Sequence, residues 1–165
     1  MFRKLSIGAA ALGGLLSASV VWADHLAIDL EARCGKARQT AHAEAVALGA
    51  KPKARGVLEV KAGEPITVTW TLRSTDDKTT LPNVLVHGFV VQEEKAGQPT
   101  VPRLTKGVAA ECALTTDLKP KGKTEGKLTF TIDKAGPYLL RLETIGAAVG
   151  PTGHEHFAAL DLVVR

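Results

Sequence analysis

The 165 residues contain one methionine, Met1, and two cysteines, Cys34 and Cys112. A blue-copper centre with an axial methionine needs Cys, His and Met gathered near the C-terminus, so that class is excluded. There is no C-x-x-C-H haem motif, no G-x-S-x-G nucleophile elbow, no P-loop and no G-x-G-x-x-G nucleotide cradle. Nor do two carboxylates form a tuned acid–base pair: Asp76 and Asp77 are adjacent in a polar stretch and read as turn formers. No catalytic constellation is present, and an enzyme is not expected. An excess of one charge is also missing. Lys and Arg number 21 against 17 Asp and Glu. Two of the cations, Arg3 and Lys4, lie in the N-terminal leader, and the remainder is close to neutral with interspersed signs. That balance does not suit a nucleic-acid partner.

What is present begins with MFRKLSIGAAALGGLLSASVVWA. A positive start, an Ala- and Gly-rich apolar run and small residues before position 24 have the layout of a secretory signal peptide. The expectation is cleavage after Ala23, export to the periplasm or the extracellular space, and a single domain over 24–165 without a membrane span; an uncleaved anchor is the alternative. In an oxidising compartment, Cys34 and Cys112 are expected to form a disulfide, which a chain-entropy model values at roughly 4–5 kcal/mol for so long a loop. Two buried thiols are the competing reading.

After residue 24 the dominant period is two. Leu26, Ile28, Leu30, Ala32 and Cys34 share one parity, as do Ile66, Val68, Trp70 and Leu72. VLVHGFVVQ (84–92) is apolar on both parities, as a central strand should be. GVAAECALTTDL (107–118) is a weaker strand, KPKGKTEGK (119–127) reads as a lysine-rich turn, and KLTFTID, GPYLLRLET and HEHFAALDLVV complete the set. Residues 36–56 fit either a ragged strand or a short helix and a loop, with His42 exposed. About seven to nine short strands separated by turns predict an all-β, antiparallel sandwich or barrel.

Two segments narrow this. VKAGEPITVTW (60–70) and DKAGPYLLRLE (133–143) resemble the turn-and-strand segments of bacterial exported immunoglobulin-like or fibronectin-III-like modules, over about 57–165. The resemblance implies an immunoglobulin-like antiparallel β-sandwich. In it Tyr138 bonds back to the backbone of its own corner and Trp70 supplies central bulk. Cys34 and Cys112 do not sit where the usual inter-sheet bridge would. The fold hosts many functions and selects none.

The remaining chemistry lies in histidines. His154 and His156 stand at i and i+2, on one side of a strand and about 6.6 Å apart. His156 shares parity with Ala158, Leu160, Leu162 and Val164, so it should point inward at the rim. In an immunoglobulin-like topology that rim adjoins the 74–83 loop with Asp76 and Asp77, and the chain start with His25. His25, His154 and His156 are therefore candidate copper or zinc ligands. His87, in the central strand, is a further candidate, although a hydrogen-bonded core histidine is the simpler reading. Two functions follow. One is a non-catalytic interaction or accessory module for another exported or envelope protein, contacting it through loops 74–83, 93–103 and 145–153. The other is a periplasmic copper- or zinc-binding protein centred on His154 and His156.

Overall fold

The computed structural model describes residues 25–43, 53–98, 104–145 and 156–165. The expected leader 1–23, His154, and parts of the loops at 93–103 and 145–153 lie outside them. Among the described residues the chain forms β1 (Leu26–Cys34), β2 (Ala37–Ala43), β3 (Val57–Val60), β4 (Ile66–Ser74), β5 (Leu81–Glu93), β6 (Leu104–Leu118), β7 (Lys123–Phe130), β8 (Gly136–Ile145) and β9 (His156–Val164). Sheet A has the order β2-β1-β4-β7 and sheet B the order β3-β9-β8-β5-β6. Their inner faces pack on each other, so the protein is an all-β sandwich, as the period-two pattern predicts.

Alternation sets each inner row. Ile28, Leu30, Ile66 and Leu72 of sheet A meet Val86, Val90, Leu160 and Leu162 of sheet B, and all are fully buried. Of segment 36–56, residues 37–43 form a strand and 44–52 lie outside the described residues. A turn at Gly35, whose φ of 57° favours glycine, folds β2 back on β1, pairing Asp29 with an exposed His42. Two expectations are corrected. First, the lysine-rich turn is only 119–122. From Lys123 onward the chain pairs with β4, sending Lys123, Glu125 and Lys127 outward and Thr124 and Gly126 inward. Lysines on the outer side of an edge strand are compatible with pairing. Second, the sandwich is not wholly antiparallel: β3 joins the free edge of β9 in parallel. β5 also begins earlier than the 84–92 segment read as a central strand. Pro82 sits where the β5–β6 register slips between Leu81 and Val84, a site that tolerates a missing donor.

Within sheet A, Trp70 packs closely against its neighbouring strand. It lies opposite Gly126 in the β4–β7 register and is 5% exposed. A Cβ placed on Gly126 would come within 2.1 Å of the indole Cζ2. The Tyr138 ring is buried, and its hydroxyl donates to the Lys134 carbonyl at 2.8 Å, fixing the turn into β8 as the sequence implied. No helix among the described residues is long and apolar enough to cross a membrane. The Trp70 contact gives a direct expectation. Gly126→Ala should destabilise the fold by about 1–3 kcal/mol, the usual cost of overpacking, in denaturant unfolding. The loss should shrink in a Trp70→Leu background, where the indole is gone.

Candidate functional site

The predicted histidines are placed differently from one another. His25 immediately precedes β1, and its carbonyl accepts the Thr75 N–H at 2.9 Å. This brings His25 beside the Asp76 turn. Asp76 is a turn former: its Oδ1 accepts the backbone N–H groups of Lys78 at 2.7 Å and Thr79 at 2.9 Å. Those bonds hold its carboxyl below the usual range, with the charge of His25 a lesser cause. His156 pairs with Thr144 at the same end of the sandwich and is buried at the rim, in agreement with its parity. His154 lies outside the described residues. Among those described, no three His, Cys, Asp or Glu side chains stand close enough to share an ion.

The disulfide is corrected. Cys34 and Cys112 are free thiols. Cys34 ends β1 on the flank where sheet A meets β3 and β9, whereas Cys112 lies on β6, the opposite edge of sheet B. The thickness and width of the core separate them, far beyond the Cα spacing a bridge tolerates. The Cys34 thiol donates to Glu64 Oε2 at 3.3 Å, and Cys112 Sγ fills the space above Gly88. Burial, first among the causes, pushes both thiols up, so neither is an activated nucleophile. Unfolding the protein without reductant should therefore release two thiols per chain to a chromogenic disulfide reagent. Reductant should leave Tm unchanged.

His87 is not a core histidine. It shares the outer parity of β5, while Val86 and Val90 face inward. Its Nε2 faces Glu111 Oε1 of β6 at 2.7 Å and its Nδ1 faces Glu143 Oε1 of β8 at 3.2 Å. Carboxylates only accept, so the ring satisfies both partners as imidazolium. Each ring nitrogen therefore faces a carboxylate of a neighbouring strand. The row continues across the sheet. Glu143 Oε2 is 2.6 Å from Arg141 Nε, and the Arg141 guanidinium sits 4.1 Å over the Phe157 ring of β9. The side chains of Arg141 and Glu143 are only 13% and 12% exposed, whereas Phe157 is 45% exposed. Phe89 stacks beside His87 with ring centroids 5.2 Å apart. The outer face of sheet B thus carries an ordered row, Glu111–His87–Glu143–Arg141–Phe157, desolvated in the middle and open at both ends.

Sequence reading missed this row because its members come from four strands and meet only through register. It also missed a second cluster at the other end of the same face. Arg55, just before β3, donates from Nε to Asp161 Oδ1 at 2.5 Å and from Nη2 to Glu93 Oε2 at 2.8 Å. The Gly97 N–H donates to Asp161 Oδ2. Asp161 and Glu93 are wholly buried. A lone carboxylate among Leu160, Leu162 and Val163 is the sequence signal that could have flagged this cluster.

No family model and no curated protein matches this chain. Among solved structures it is similar to the soluble domain of PmoD from Methylocystis sp. ATCC 49242 (Rockwell), at 12% identity over 84% of this chain and 90% of that one, with a TM-score of 0.40.

His87 carries a pH expectation. The Glu111 hydrogen bond raises its pKa above the ordinary 6.5; burial opposes it, and Glu143 adds to the rise. Its folded pKa exceeds the unfolded value, so its stabilising contribution is complete below about pH 6.5 and is lost as pH rises through the folded pKa. Imidazole NMR titration should place His87 above 6.5. His87→Gln should flatten the fall in stability over that interval.

Proposed function

We propose that this chain is an exported β-sandwich of immunoglobulin-like architecture that serves without catalysis as an interaction or accessory module for another protein of the cell envelope. The signal-like residues 1–23 support export. The architecture is supported by the strand orders β2-β1-β4-β7 and β3-β9-β8-β5-β6, with the edge strand β3 parallel to β9, and by the Tyr138 corner bond. The observation that carries the functional reading is the row on the outer face of sheet B. Protein interfaces concentrate their energy in desolvated arginine and aromatic anchors bordered by polar groups. Arg141, packed on a half-exposed Phe157 and fixed by Glu143, has that composition. Its orientation is set before any partner arrives, which lowers the ordering cost of association.

Affinity capture from native envelope extract, followed by titration with the captured partner, tests this. Phe157→Ala removes an exposed ring without opening the core. It should weaken binding by about 2 kcal/mol, roughly thirtyfold, as loss of a central anchor does. Thr129→Ala on the outer face of sheet A should leave binding unchanged. Undiminished binding by Phe157→Ala would remove the row from the interface, and a measurable turnover would overturn the non-catalytic reading.

A further inference from the structure

The Arg55–Glu93–Asp161 cluster lies outside the proposed contact row, and its charges do not balance. Two buried carboxylates share one guanidinium. Glu93 Oε1 is buried without a hydrogen-bond partner. A buried carboxylate oxygen with no donor is costly, and a proton on it converts the group into a donor. By bonding both, Arg55 holds the Asp161 carboxylate near that of Glu93. The cluster also ties non-strand chain to the sheet. Arg55 holds segment 53–56, the Asp161 N–H donates to the Gly56 carbonyl at 2.8 Å, and Asp161 receives the Gly97 N–H of the 94–98 turn.

We propose that Arg55, Glu93 and Asp161 form a proton-operated latch. A proton on Glu93 keeps segment 53–56 and the 94–98 turn fastened to the outer face of sheet B, and its loss to water releases both without unfolding the sandwich. With the proton bound, the buried charges sum to zero. Without it, a net negative charge remains in a site that excludes water. Among the described residues, the groups facing Glu93 are Arg55 from the segment before β3 and Asp161 from β9. Leu139 of β8, in register with Asp161, carries no charge. Lys53, Glu94 and Lys95 in the adjoining stretches are exposed. Burial first, and then the Asp161 charge, raise the Glu93 carboxyl to about 7, with Arg55 opposing. The change therefore falls near neutral pH.

The test combines carboxyl ¹³C NMR titration with amide hydrogen exchange from pH 5 to 9, each rate corrected for the intrinsic base-catalysed rate. One proton should leave Glu93 near neutrality. Over the same interval, protection of the Gly97 and Asp161 amides should fall at least about tenfold, the effect of one pK unit of linked protonation, while Val68 in β4 holds. Glu93→Gln mimics the protonated form and should keep protection high and flat. Completion of the titration below pH 5, constant Gly97 protection to pH 9, or an equal fall at Val68 would overturn the latch. So would an unchanged pH dependence in Glu93→Gln. If that variant fails to fold, the wild-type titration and exchange still decide.

Discussion

The pairing of β9 on both of its edges is the constraint on which the rest of sheet B depends. β8 holds one edge in antiparallel register from Gly136–Val164 to Thr144–His156, and β3 holds the other in parallel. A strand fixed on two sides cannot slip, and a slip of one residue would exchange its faces. Its inner row, Ala158, Leu160, Leu162 and Val164, completes the core. Its outer row places Phe157 beneath Arg141 and Asp161 beneath Arg55. The core, the contact row and the latch are thus three consequences of one register.

That dependence explains what could be read in advance. Parity alone orients Ile66, Val68, Trp70 and Leu72, and parity alone sends His156 inward, because burial of one face is a local property of the strand. The Tyr138 bond was equally accessible, since donor and acceptor are four residues apart. Local pattern fails where a property belongs to two strands. His87 sits in a segment apolar on both faces, and only the register with Glu111 and Glu143 shows that its side faces outward. Cys34 and Cys112 each lie on an inward parity, but inward from opposite flanks is not proximity. Arg55 meets carboxylates 38 and 106 positions away, separations over which no periodicity carries information.

Both polar clusters are placed where a sandwich least needs them for stability. Breaking a buried ion pair leaves an uncompensated charge, whereas apolar residues of like volume would be at least as stable. What the charged groups add is definition. Arg141 is held by Glu143 and by the Phe157 ring, and Arg55 is held by two carboxylates, so each long side chain has one set of partners. On an outer sheet face, where packing does not select a rotamer, such partners fix a side chain that a contact surface requires to be still.

The two clusters also respond to protons in the same direction. His87 has a raised folded pKa, so its contribution is complete below about pH 6.5 and fades as pH rises through the folded value. Glu93 likewise binds its proton more tightly folded than unfolded. Its contribution is complete below about 4.5 and is lost as pH rises to about 7. Exposed carboxylates act oppositely. Glu31, lowered by its hydrogen bond with Arg33, and Asp76, lowered by the backbone of its turn, lose their contribution as pH falls through their depressed values. The two sets of groups thus oppose one another in their response to pH. The outer face of sheet B is the part that loosens first as the medium becomes alkaline, because its row and its latch each rely on a proton that bulk water then removes.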